Sequence, residues 1–162
     1  MHGSGPGVSR ADSQEFVDAV VSASRALVGV AARSLAGLEE EVTIAQYRML
    51  VLLCSRGPQR VSDLAHALGV NASTAVRMSD RLVVKRLVRR QRMAKDRRSV
   101  RVGATPTGRS LVGEVTERRR GEIARIVDAM APESRAVFVE ALRAFAAAAG
   151  EVPEQSWSAG WE

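Results

Sequence analysis

The sequence predicts a mainly α-helical chain of about six helices carrying one short β-hairpin, and three observations lead there. The composition is 46% apolar but only 4% aromatic, dominated by alanine, valine, leucine and arginine, which favours helices packed through small and branched aliphatics. Two short amphipathic stretches flank Gly69, separated by a turn of about three residues. A run of alternating apolar and basic residues follows them directly. At 162 residues the chain has room for one domain, or for one domain with an oligomerisation arm.

Residues 1–11 read as a disordered leader, and no apolar stretch stands behind MHGSGPGVSR to make it a secretory signal. Asp12, with Glu15 three residues later, starts a first helix that reaches about Leu38 within residues 12–42. Its Phe16, Val20, Ala23, Leu27, Val30 and Leu35 recur at helical spacing along one side. After the polar EEEV, Thr43 and Gln46 form a capping-box pair ahead of YRMLVLLC, a helix apolar enough to be largely buried. Gly57 and Pro58 close it. Ser62 is expected to cap a short helix carrying Leu64, Ala65 and Leu68, which Gly69 stops.

Asn71 then caps a second helix, about 72–87, with Ala75, Met78, Leu82 and Val83 on one side. Two helices joined by a short turn containing glycine make a helix-turn-helix, and here the second is the basic one. Val88–Gln91 and Ser99–Val102 read as two short strands with MAKDR as their tip, and a hairpin in that place is a wing. Residues 43–104 thus form a winged helix-turn-helix lobe. Thr105 as cap and Pro106 in the first turn restart helix to about Met130, with an interruption expected at ERRRGE, 117–122. Pro132 opens a last helix carrying Ala136, Val137, Val139, Leu142 and Phe145, and Gly150 and Pro153 end it, completing a C-terminal segment 105–150. The tail 151–162 holds Trp157 and Trp161, either docked or free.

The net charge of +6 is unevenly placed. Between Asn71 and Arg101 stand nine Arg and two Lys against Asp80 and Asp96, a surplus of +9, so the rest of the chain is net acidic. The usual partner of so dense a basic strip is a polyanion. The first turn of the second helix offers Asn71, Ser73, Thr74 and Arg77, small polar groups followed by an arginine, which suits approach to base edges and phosphates in a major groove. In the wing, Arg97 and Arg98 are placed to enter a minor groove, with Asp96 as the organiser of that loop and Lys95 beside it. Arg81, Lys85, Arg90 and Arg101 read as phosphate neutralisers.

The stretch VSDLAHALGVNASTAVRMSDRLVVKRLVRRQRMAKDRRSVRVGATPTGR resembles the multiple-antibiotic-resistance regulator (MarR) family of bacterial winged-helix transcription factors. Asp96, Arg98, Ser99 and Thr105 carry its wing signature, and the order of helices over 12–150 resembles that family as well. The resemblance implies an obligate homodimer in which first and last helices interlock and two winged lobes address a pseudo-palindrome on double-stranded DNA, as a repressor more often than an activator. It also implies a small aromatic or phenolic effector near Ser22, Arg25, Tyr47 and Arg48, joined by Arg118 or Arg119. The alternative, that these residues only join the two lobes, stays open. Two departures are visible: Arg86 stands where the family commonly has Gly, which either costs about 1 kcal/mol in a left-handed backbone or lets the helix run on slightly, and Ala104 stands for a usual Leu, which should thin the packing.

Other chemistry finds little support. A single cysteine, Cys54, suits a reducing cytoplasm and reads as a buried inert thiol, while His66 reads as a surface residue. No metal, cofactor or membrane span is expected, and no nucleophile has an evident histidine partner, so an enzyme is not expected. Two competing readings share the basic strip: a sequence-indifferent architectural DNA-binding protein, and a winged helix used for protein contact.

Overall fold

A computed structural model describes residues 10–39, 41–93, 96–154 and Trp157. In chain order its elements are α1 (Arg10–Leu35), α2 (Ile44–Arg56), α3 (Val61–Leu68), α4 (Ala72–Val84), β1 (Val88–Met93), β2 (Asp96–Ala104), α5 (Pro106–Asp128) and α6 (Pro132–Ala148). The fold is mainly helical with one antiparallel hairpin, as the composition and periodicity predict. Of the leader expected over 1–11, residues 10 and 11 belong to α1, and residues 1–9, like Trp161, lie outside the described residues.

Local side-chain caps set three of the helix starts. At α2 the Thr43 hydroxyl accepts the Gln46 N–H at 3.2 Å while the Thr43 N–H donates to the Gln46 side chain at 3.0 Å, so two orphan donors are satisfied at once. At α4 the Asn71 side chain accepts the Thr74 N–H at 2.8 Å, and at α5 the Thr105 hydroxyl accepts the Gly108 N–H at 3.0 Å ahead of Pro106. Gly69 ends α3 in the left-handed region, at φ 65, and its N–H returns to the Ala65 and His66 carbonyls.

Four expectations need correction. Ser62 is not the α3 cap: Arg60 takes that position, and Ser62 falls inside the first turn, where its hydroxyl bonds Asp63. The reason is non-local, because Gln59 exchanges two backbone hydrogen bonds with Val102 of β2, at 2.9 and 2.8 Å, and this fixes where the chain enters the helix. The strands are longer than expected: β1 reaches Met93 and β2 begins at Asp96, through the Arg92↔Val100 and Met93↔Asp96 pairings. Helix α5 runs unbroken through ERRRGE, laced by Glu114–Arg118 and Glu117–Arg120 ion pairs one turn apart. Helix α4 stops at Val84 rather than running on to Leu87, because Arg86 turns to φ 58.

Arg86 is the one non-glycine residue with positive φ among those described. A side chain in that region costs about 1 kcal/mol relative to glycine. Arg86→Gly is therefore expected to raise the thermal unfolding midpoint by roughly 2–4 °C for a chain of this size. A lowered midpoint would show that the arginine side chain contributes more than the strain removes.

The core gathers around α2. Met49, Leu50, Leu52 and Leu53 are buried against Leu64 of α3, Ala75, Met78 and Leu82 of α4, Val88 and Val102 of the hairpin, and Leu111, Val112 and Val115 of α5. Helix α1 lies along α5, where Val30 and Ser34 are buried and Arg33 pairs with Glu122 at 2.8 Å. The hydrogen bond from Arg33 holds the Glu122 carboxyl below its ordinary pKa. Arg118 donates to the Ala36 carbonyl at the end of α1. Helix α6 is different, since none of its residues is buried and Val137 is 73% exposed. Beyond it, Trp157 packs on the core and donates to the Val152 carbonyl at 3.0 Å, so this tryptophan docks on its own chain. Among the described residues no helix is long and apolar enough to cross a membrane.

Candidate nucleic-acid interface

The site begins at the turn between α3 and α4. Gly69 brings α3 to a stop and Asn71 starts α4, so the N-terminus of the basic helix projects from a rigid corner whose inner side is fixed by buried Leu64, Ala75 and Met78. On its outer side the first turn is already ordered: the Asn71 carboxamide oxygen accepts both the Thr74 N–H and the Ser73 hydroxyl, each at 2.8 Å. Arg77, exposed one turn further, donates to the Thr74 hydroxyl at 3.2 Å. The four residues expected at the groove are thus brought together as one hydrogen-bonded unit, with Arg81 exposed on the following turn.

The wing is tied to this helix. Arg90 of β1 forms an ion pair with Asp80 of α4, and Arg101 of β2 donates to the Pro58 carbonyl at 3.3 Å. Both were expected at phosphates, and in the free chain both hold the hairpin against the helical lobe. Their exposure makes the Arg90–Asp80 pair worth little by itself, but it spans two elements and orients the wing. Lys85 sits at the C-cap of α4, half-buried. Arg89 and Arg92 on β1 are exposed and extend the cationic surface beyond the residues singled out in the sequence. Lys95 lies outside the described residues, as do the side chains of Asp96, Arg97 and Arg98, whose backbone belongs to β2.

The base of the wing is a junction that the sequence hardly announces. Buried Leu87 donates its N–H to the Leu82 carbonyl, and its own carbonyl accepts the Thr105 N–H at 3.0 Å and the Thr105 hydroxyl at 3.1 Å. That hydroxyl also reaches the Arg86 carbonyl at 2.7 Å. The end of α4, the start of β1 and the start of α5 therefore meet on one threonine.

The residues expected around an effector find separate partners. Ser22 and Arg25 bond each other at 3.1 Å on the exposed part of α1, and Arg48 pairs with Glu151 beyond α6. Tyr47 is buried, with its hydroxyl 3.5 Å from that of Thr116 and the Arg119 guanidinium 5.3 Å from its ring centroid, so Arg119 rather than Arg118 joins it. A cavity of about 350 Å³ lies between α2 and α3 beside Arg56, Gln59, Asp63 and His66, and none of the four expected residues lines it. His66 is exposed, as expected. Among the described residues no group of three or more His, Cys, Asp or Glu side chains is placed to hold a metal ion.

Cys54 is half-buried, and desolvation pushes its thiol up to about 11 against a smaller opposing pull from Arg109. The thiol is therefore protonated at neutral pH, and the thiolate that reacts with oxidants and alkylating agents is scarce. Iodoacetamide is expected to label Cys54 more slowly in the folded protein than in denaturant, with the folded-state rate climbing as pH rises toward 11. Equal rates in both states would mean an accessible thiol.

The chain is similar in sequence and fold to known proteins. A family model described as the MarR family matches residues 42–100. The crystal structure of RV1404 from Mycobacterium tuberculosis aligns with a TM-score of 0.80 at 45% identity, over 87% of this chain and 96% of that one. The uncharacterized HTH-type transcriptional regulator YfiV of Bacillus subtilis (strain 168) is 28% identical over 102 residues, which cover 63% of this chain and 64% of its own. The HTH-type transcriptional repressor MdtR of the same strain is 33% identical over 95 residues, covering 59% of this chain and 61% of its own. The match thus spans less than two thirds of the length of these two curated relatives.

Proposed function

Because the chain belongs to the MarR family of transcriptional regulators, we propose that it acts in the cytoplasm as a homodimeric repressor that reads a pseudo-palindromic operator. The observation that carries this reading is the ordered, exposed first turn of α4, with Asn71, Ser73, Thr74 and Arg77 linked by hydrogen bonds beside a wing tied to the same helix. Such a unit meets a groove with little left to order, so less binding energy is lost to immobilisation. In this reading Arg97 and Arg98 serve the adjacent minor groove, assisted by Lys95 and Asp96, while Arg81, Lys85 and the exposed Arg89 and Arg92 neutralise phosphate. Arg90 and Arg101 act first as struts of the wing.

The dimer is supported by unpartnered apolar surface. Phe16 and Val28 of α1 are 61% and 60% exposed, and α6 leaves Val137, Val139, Leu142 and Phe145 open without one buried residue. A second copy laying its own α1 and α6 against these would cover that area and set two α4 helices one helical turn of DNA apart. For an effector, the pairing of Tyr47 with Arg119 on the seam of α2 and α5 fits an aromatic carboxylate.

The test is a fluorescence titration of the protein against a palindrome-bearing fragment from upstream of its own gene and a scrambled control, at two salt concentrations. Preference for the fragment by about 10³-fold or more is expected of a specific regulator. Equal and salt-sensitive binding to both, repeated with sequences recovered by random selection, would replace it with the architectural reading.

A further inference from the structure

The exposed side of α4 carries two columns in its first two turns, and the reading above uses only one. Ser73 and Arg77, four residues apart, form the polar column. Ala72 and Val76, also four apart, form an apolar column beside it, and both are exposed, Val76 by 42%. Helix formation does not ask for a valine there, since a β-branched residue is a poorer helix former than alanine, lysine or arginine at a solvent-facing site. Nor does Val76 belong to the buried face of the helix, which is made by Ala75, Met78, Ser79 and Leu82. An apolar side chain has thus been left open in the turn that a groove-reading helix brings closest to bases.

We propose that Val76, with Ala72 one turn before it, reads thymine methyl groups in the major groove and so sets part of the operator preference. This rests on the DNA-binding function proposed above. The major-groove edges of the bases present donors, acceptors and a single apolar group, the C5-methyl of thymine. Val76 has no donor or acceptor to offer, so its favourable complement on that surface is the methyl. The neighbouring column, held by the Asn71 and Thr74 hydrogen bonds, fixes the rotation of α4 in the groove and thereby the base step over which Val76 comes to lie. Val84, 81% exposed, supplies an internal control, because it is the last residue of α4 and stands away from the base-contacting end.

The experiment replaces each thymine of one operator half-site by deoxyuridine, which removes the methyl and nothing else. Affinities are measured by fluorescence anisotropy at fixed salt for the unaltered protein, Val76→Ala, Val76→Thr and Val84→Ala. At one or two positions the unaltered protein is expected to lose about fourfold in affinity, the worth of one buried methyl-sized group. Val76→Ala should bind the thymine operator correspondingly less well and show no further loss at those same positions. Val76→Thr, which keeps one methyl, should fall between, and Val84→Ala should follow the unaltered protein. Indifference of the unaltered protein to every deoxyuridine, or full retention of the deoxyuridine effect in Val76→Ala, would overturn the proposal. A protein that does not prefer its operator to scrambled DNA at all fails one step earlier, and the function proposed above falls with it.

Discussion

Replacing Gly108 by Ala is expected to destabilise the fold by about 3 kcal/mol, the upper part of the range for forcing extra volume into a packed site. The added Cβ would stand 2.1 Å from the Leu87 carbonyl oxygen and 3.1 Å from its carbon. The obstacle is backbone, and it cannot swing away cheaply, because that oxygen already accepts the Thr105 N–H and hydroxyl and Leu87 itself is fully buried. Relief would have to come from lifting the start of α5 off the wing junction, which breaks the Thr105 cap as well. Glycine to alanine inside a helix ordinarily stabilises by about 0.5–1 kcal/mol, so the sign of the effect is the diagnostic. Gly113 and Gly121 on the same helix meet nothing within 4 Å, and their alanine variants should show the ordinary gain. Denaturant midpoints for the three variants, at one protein concentration and with the slope checked for constancy, separate the cases. A Gly108→Ala protein as stable as Gly113→Ala would mean that the α5 start does not press on Leu87.

The contrast between these glycines shows where the sequence could be read and where it could not. Caps are local statements: Thr43 with Gln46, Asn71 and Thr105 each satisfy N–H groups within three residues, and all were legible. Gly69 was legible for the same reason, since only the chain's own turn is involved. The family resemblance and the helix order needed no more than this local grammar. Gly108 gave no signal, because its cause is a carbonyl 21 residues earlier in the chain. The displaced α3 start depends on Gln59 pairing with Val102, and the continuity of α5 on side-chain pairs that outweigh a single glycine. At the candidate site the same division holds. The first turn of α4 could be listed from sequence, whereas the pairing of Arg90 with Asp80, which ties the hairpin to α4, arises only when the hairpin folds back. The exposed Arg89 and Arg92 were hidden in a run of basic residues with no marker of which would point outward.

Arg77→Ala is expected to lower operator affinity roughly 10- to 100-fold, the 1–3 kcal/mol of an arginine that contacts a base edge, while costing a few-fold at most on scrambled DNA. Arg77 is exposed, one turn inside α4, and near the centre of the side opposite Ala75, Met78 and Leu82. The hydrogen bond to Thr74 uses one of its five N–H donors and holds the side chain along the helix, leaving the other donors open for a base edge. Stability should be unchanged within about 0.5 kcal/mol, as for an ordinary surface substitution, so a loss of binding cannot be blamed on unfolding. Arg77→Lys keeps the charge but loses the planar fork, and it should recover little of the operator affinity while restoring non-specific binding. Arg90→Ala provides the contrast: it removes one cation and the exposed pair with Asp80, so operator and scrambled DNA should both be bound less well and to a similar degree. If Arg77→Ala weakened both DNAs equally and lowered the salt slope by about one, the residue would be a phosphate anchor, and base recognition would have to come from elsewhere on α4 and from the wing.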